Sequence, residues 1–141
     1  MQVREVMTPA VTTVPPSASI ADIARIMRDE DIGSVPVAEN ERLLGMVTDR
    51  DLVVRGVSKG ADGIACTASD VMTPDVRCCM ADDNVDDVLR DMGDQQIRRL
   101  PVVDSQQRLI GIVSLGDLSR EAKPKDAGKS LKEISKPDGT H

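Results

Sequence analysis

No phenylalanine, tyrosine or tryptophan occurs anywhere in the 141-residue chain. A core must therefore be assembled from Val, Ile, Leu, Met and Ala, and an apolar share of 40% suits a mixed α/β interior of branched aliphatics. The same absence removes every aromatic platform. A purine ring would be gripped only by aliphatic side chains and arginine planes, and base-stacking recognition of single-stranded nucleic acid is disfavoured. Histidine occurs once, as His141, and cysteine three times, as Cys66, Cys78 and Cys79, so no metal site is expected. The odd thiol count reads as buried or half-buried cysteines, and geometry disfavours a bridge between the neighbours Cys78 and Cys79. Positive charge is short as well: the net charge of −6 argues against a general polyanion binder while leaving room for a local cationic patch. No apolar run approaches bilayer length and the first six residues form no signal-peptide core, so a soluble cytoplasmic protein without membrane association is expected. Catalytic groups are missing too. With no central His, no Cys/His pair, no Walker-type loop and no convergent carboxylates, no enzyme activity is expected. Met7, Met27, Met46, Met72, Met80 and Met92 read as core or interface filler rather than metal or haem ligands.

What is present is present twice. Val6-Met7-Thr8-Pro9 returns as Val71-Met72-Thr73-Pro74, and Pro36-Val37 as Pro101-Val102, both at an offset of 65. Gly45 and Asp51 return as Gly111 and Asp117 at an offset of 66, one residue having been gained in the polar hairpin turn that separates these landmarks. This is a tandem duplication. In each copy an apolar strand breaks at a hydroxyl, Thr48 or Ser114, and runs into a helix with an aspartate three residues later, Asp51 or Asp117. That is a capping-box spacing with Asp in place of Glu or Gln. A strand entering a helix N-terminus is also where polar or anionic ligand groups sit. The spacing leaves both roles open for Asp51 and Asp117: a cap contributing ~1 kcal/mol, or a ligand contact.

The remaining signals follow one order in both copies. An extended piece comes first, residues 10–14 and 75–79. Next is a helix with Ile20, Ile23, Ala24 and Met27, or Val85, Val88, Leu89 and Met92, on one face, capped by Ser17 or Ser19 and by Asp82 or Asn84. Two strands and a second helix complete a β-α-β-β-α unit. Repeat 1 is placed at residues 1–57, a Gly- and Ala-rich linker at 58–68, repeat 2 at 69–122 and a polar tail at 123–141. One such unit buries little surface alone, so two copies are expected to pack about a pseudo-two-fold axis and to share a cleft.

The doubled V-M-T-P, the doubled P-V and the doubled strand-Gly-strand-[Thr/Ser]-x-x-Asp-Leu resemble the cystathionine-β-synthase (CBS) domain pair, or Bateman module, of the stand-alone bacterial kind, over about Val3 to Glu121. The resemblance implies an α/β fold of two CBS repeats and a regulatory module without an obligatory cofactor. Such a module binds adenosyl compounds (AMP, ADP or ATP, sometimes S-adenosylmethionine) in the cleft between repeats and signals to an effector protein by conformational change. A homodimer forming a flat four-repeat disc is implied as well. One site would use Thr48, Arg50 and Asp51 with Ile97, Arg98 and Arg99 and the backbone near Asp75 and Val76. The other would use Ser114 and Asp117 with Ile32, Gly33 and Ser34 and the backbone near Ala10 and Val11. In this scheme Asp receives the ribose hydroxyls, Thr or Ser the ribose or phosphate, and the backbone before the opposite P-V strand the adenine. The chemistry is sound, since a carboxylate accepts both hydrogen bonds of a vicinal diol and helix amides with arginine neutralise phosphate.

Arg98-Arg99 stands where repeat 1 has Gly33-Ser34, which makes the Asp51 site the cationic one, preferring di- and triphosphates, and the Asp117 site the weaker. Gly116 stands where a hydroxyl often precedes the motif Asp, and Asp75 replaces Ala10, either to read an exocyclic amine or to obstruct the base. The competing readings are a ligand-free interaction scaffold whose boxes only cap helices, and a module for S-adenosylmethionine or nucleic acid.

Overall fold

Two amphipathic helices, α1 (Ile20–Glu30) and α4 (Val85–Gln95), frame a computed structural model that describes residues 1–9, 11–60 and 62–121. Ala10 and the tail at 123–141 lie outside the described residues. Of the alternative caps, Ser19 and Asn84 are the ones used: Ser19 Oγ accepts from Asp22 N–H at 3.1 Å, and Asn84 Oδ1 accepts from Asp86 N–H at 2.8 Å. Val85, Val88, Leu89 and Met92 are buried as their spacing demands. On α1 the buried stripe is Ile20, Ile23 and Met27, with Ile26 packed beside it. Ala24, expected on that face, is exposed, because the buried stripe runs toward Ile26 and leaves Ala24 on its far margin. Both helices stop in a left-handed residue without glycine, Asp31 (φ 54°) and Gln96 (φ 57°).

Each helix is followed by a hairpin. β1 (Ser34–Glu39) pairs with β2 (Arg42–Thr48), and β5 (Arg99–Val103) with β6 (Leu109–Ser114), both antiparallel. The first turn places Asn40 and Glu41 at φ 52° and 69°, the left-handed pair a two-residue hairpin requires. Between the equivalent pairs Ala38/Leu43 and Val103/Leu109 the second connection, residues 104–108, is one residue longer than the first, residues 39–42. It is organised by Asp104, whose carboxylate accepts from the amides of Gln106 and Arg108 at 2.8 and 3.0 Å. That insertion is the change of offset seen in the repeats. Both hairpins also carry a bulge at equivalent places, after Val37 and after Val102.

The two edges of each hairpin are filled by short pieces from elsewhere. Val14 bridges Val37 in parallel, and β4 (Cys79–Met80) pairs in parallel with β5. These are the remnants of the expected extended pieces. The second of them is interrupted by Asp75 at φ 50°. On the opposite edges lie the doubled V-M-T-P segments. β3 (Thr73–Pro74) pairs with Met46 and Gly45 of β2, and Thr8 bridges Ile112 of β6. Residues 7–9 and 72–74 are thus sheet-edge straps. Each strap is admitted by a glycine: a Cβ on Gly45 would stand 2.5 Å from Thr73 O, and one on Gly111 would stand 2.7 Å from Met7 Sδ.

The straps cross between repeats. Contacts divide the chain into Thr12–Val76 and a second unit made of Met1–Val11 with the chain from Arg77 onward. Val3 is fully buried among Val85, Leu89, Leu100, Val113 and Leu118 of the second unit, while Val71 is buried with Ile23, Val35, Val47 and Leu52 of the first. Residues of the Gly- and Ala-rich linker hold the start of α1. Ile20 and Ala21 N–H donate to Cys66 O and Gly63 O at 3.0 and 2.9 Å, and a short helix, α3 (Ala68–Val71), follows. Met27, Met46 and Met92 are core residues, and Met7 and Met72 pack against the two cores.

Cys79 sits inside the second core, where burial, helped by the Asp83 carboxylate, pushes its thiol up to about 12. Since only the thiolate is nucleophilic, iodoacetamide near pH ~8 is expected to leave Cys79 unmodified in the folded protein and to alkylate it in urea. Peptide mass mapping checks this. Labelling of Cys79 without denaturant would refute its burial.

Candidate functional site

In the Thr12–Val76 unit, β2 ends at Thr48 and turns directly into α2 (Asp49–Asp51), which runs on through a π turn (Leu52–Gly56) and a 3-10 turn (Val57–Lys59). Thr48 and Asp51 form a reciprocal box: Asp51 N–H donates to Thr48 Oγ1 at 3.0 Å, and Thr48 N–H donates to Asp51 Oδ2 at 2.9 Å. The other oxygen, Oδ1, faces Arg55 Nε at 3.8 Å. Asp51 is 9% exposed and is the buried charged side chain among the described residues. Asp49 N–H donates to Gly33 O at 2.9 Å, and Ser34 is the register partner of Thr48. Gly33 and Ser34 therefore meet the helix entrance of their own unit, while Ile32 packs against its core. Ser34 Oγ is buried there with no hydrogen-bond partner among the described residues. Arg50 points its charge into solvent, Asp75 is exposed and Val76 half-buried.

The second unit repeats the frame with different chemistry. Leu115 N–H donates to Arg98 O at 2.8 Å, and Arg99 is the register partner of Ser114. Asp117 N–H donates to Ser114 Oγ at 3.1 Å at the start of α5 (Leu115–Glu121). The Asp117 carboxylate, however, turns to the guanidinium of Arg120 and stays 31% exposed, unlike Asp51. Arg98 and Arg99 are both exposed, Ile97 and Val11 half-buried. Gly116 faces open space, its nearest neighbour to an added Cβ being Ser114 Oγ at 3.9 Å. Sequence reasoning missed Arg55, although its place four residues after Asp51 is an ion-pair spacing on a helix.

Among the described residues no three His, Cys, Asp or Glu side chains gather as a metal site, and no helix is long and apolar enough to cross a membrane.

Comparison with known proteins agrees with the duplicated frame. The CBS domain family matches at residues 3–57 and 68–123. The CBS domain-containing protein YhcV of Bacillus subtilis is 39% identical over 134 residues, which is 94% of each chain. Among solved structures, Hypoxic Response Protein I with two coordinated zinc ions is 33% identical with a TM-score of 0.79, covering 87% of this chain and all of its own. CBSX2 in complex with AMP is 30% identical with a TM-score of 0.76, covering 85% of this chain and 94% of that one. The CBS domain pair of MJ0100, bound to 5′-methylthioadenosine and S-adenosyl-L-methionine, is 27% identical with a TM-score of 0.75, covering 86% and 94%.

Proposed function

We propose, since this chain belongs to the CBS domain family, that it is a ligand-binding regulatory module whose effector is an adenosine nucleotide, AMP, ADP or ATP, and that it reports occupancy to a partner protein as a cytoplasmic homodimer. The observation that supports this best is the burial of Asp51. Capping does not require it: Thr67 and Asp70 make the same kind of box at α3 on an exposed surface. Burying a carboxylate is unfavourable unless it is matched; Thr48 N–H matches Oδ2 and Arg55 stands off Oδ1 at 3.8 Å, so a vicinal diol donating to Oδ1 completes the match. Thr48, Arg50, Asp51 and Ser34 in one unit, and Ser114, Asp117, Arg98 and Arg99 in the other, are the residues proposed to carry binding.

The test starts from composition. Without Trp or Tyr the protein is almost transparent in the near ultraviolet, so a purine band that survives gel filtration reports a bound nucleotide. In a thermal-shift panel the physiological adenosyl ligand is expected to stabilise by roughly 2.7 kcal/mol at a hundredfold excess over Kd. No shift with AMP, ADP, ATP or S-adenosylmethionine would refute the reading. The exposed cations add a finer expectation. Arg99→Ala should weaken ADP and ATP by about tenfold and AMP by much less, since a charge-assisted hydrogen bond to the outer phosphates is lost. Titration calorimetry with the three nucleotides separates these, and equal losses for all three would remove Arg99 from phosphate recognition.

A second reading, a ligand-free scaffold, is favoured by one feature. Val53, Val54 and Val57 are 58%, 46% and 65% exposed on the helical run after Asp51. It predicts no response to any adenosyl compound.

A further inference from the structure

Arg55 touches two things at once. Its Nε lies 3.8 Å from Asp51 Oδ1, and its Nη1 donates to Met72 O at 3.2 Å. A guanidinium presents N–H groups along separate edges, so one side chain can hold a carboxylate and a carbonyl together, which lysine cannot do with the same geometry. The local backbone is arranged for this reach. Gly56, inside the π turn, brings the helical run close to the residue before Met72: a Cβ there would stand 3.3 Å from Ile20 Cδ1 and 3.7 Å from Val71 Cγ1. Met72 in turn begins the strap, whose Thr73 and Pro74 pair with Met46 and Gly45 and which leads into Asp75 and Val76, the end of the unit.

The second repeat lacks the device. The position aligned with Arg55 is Glu121, which has no N–H to offer from its side chain. Asp117 is paired instead with Arg120, one residue earlier and 73% exposed. The doubled sequence thus differs at residue 55, which in the first copy touches both motif aspartate and strap.

From this we infer that Arg55 is a positioning residue that couples the Asp51 carboxylate to the strap at residues 72–74, so that whatever engages Asp51 is felt at the strap, and that the coupling is confined to the first of the two motif aspartates. An uncoupled surface pair would hold its own two ends and nothing else. Here the carboxylate is 12% exposed at its side chain and the third member is a backbone carbonyl of a sheet edge. A diol donating to Oδ1 draws charge away from Arg55 and so alters its hold on Met72 O. This ligand consequence rests on the nucleotide reading, whereas the coupling itself does not.

Amide hydrogen exchange at Thr73, referenced to amides of α1 in the same unit, tests both. In the ligand-free protein, Arg55→Gln and Asp51→Asn are each expected to speed exchange at Thr73 by about threefold relative to α1, the scale of a partly exposed pair. The double variant is expected to be no faster than either single one. Arg55→Lys, which keeps charge but not the fork, should restore little. Equal acceleration at α1 and Thr73, independent effects that multiply in the double variant, or full rescue by lysine would overturn the coupling. Saturation with AMP should then change Thr73 exchange in the parent and leave it unchanged in Arg55→Gln. If AMP binds and Thr73 does not respond, the coupling to ligand is wrong. If no adenosyl compound binds, the nucleotide reading fails, and the double-variant comparison still decides the coupling.

Discussion

Alanine at Gly45 is expected to lower stability by about 3 kcal/mol, in the range of overpacking that backbone cannot relieve, and the melting temperature by roughly 10 °C. The added Cβ would lie 2.5 Å from Thr73 O and 3.1 Å from Met72 Sδ. A carbonyl of a paired strand can move only by abandoning its pairing, so the strap must lift from β2. Gly111→Ala is the internal comparison. There the nearest atom is Met7 Sδ at 2.7 Å, the far part of a flexible side chain, with Thr8 O behind it at 3.0 Å. Part of that clash is relieved by rotating the methionine, and a loss of about 1.5 kcal/mol is expected. Urea denaturation of the two variants measures both. If Gly45→Ala costs no more than Gly111→Ala, the straps are not seated as described.

Replacing Asp51 by alanine should do two separable things. The cap is lost, at about 1 kcal/mol. If Asp51 receives the ribose diol, adenosyl affinity falls on the order of a hundredfold as well, because two hydrogen bonds to a charged group disappear. Asp70→Ala is the matched control. It removes an aspartate from an equivalent box, Thr67 N–H to Asp70 Oδ2 at 2.9 Å, at an exposed place. Its expected effect is a similar loss of stability with unchanged affinity. Calorimetric titration beside chemical denaturation of both variants separates folding from binding. Equal effects of the two substitutions on affinity would reduce Asp51 to a helix cap.

Much of this architecture was legible in the residues alone. The offsets of 65 and 66 located the two hairpins, and apolar spacing located α1 and α4. These succeed because periodicity reports which face of an element is apolar, and capping residues report where it starts. Neither reports which sheet edge a strand will join. The V-M-T-P segments were visible as repeats, yet nothing local to residues 6–9 says that Thr8 pairs with Ile112 rather than with the nearer β2. The information lay instead in Gly45 and Gly111, whose missing side chains make room for the straps. The Gly- and Ala-rich composition of residues 58–68 likewise does not report that Gly63 O and Cys66 O accept from the first amides of α1. At the candidate site the T-x-x-D spacing was plain, and Arg98-Arg99 and Gly116 already set its two copies apart, though not in burial. Their difference, a buried Asp51 held by Arg55 against a half-exposed Asp117 held by Arg120, depends on tertiary burial and on where one arginine falls in the following turn.

The lending of the first strap to the later hairpin bears on how the chain is made. Thr8 leaves the ribosome 104 residues before its partner Ile112, whereas every partner within Thr12–Val76 emerges by residue 76. The earlier unit is therefore able to close while translation continues. The opening segment, with the apolar Val3, must wait for partners that begin only at Cys79, Ala81 and Val85, and Thr8 must wait for Ile112. Any nascent product that stops before β6 carries that segment with Thr8 still unpaired, which gives chaperones and proteases a direct way to recognise an unfinished copy.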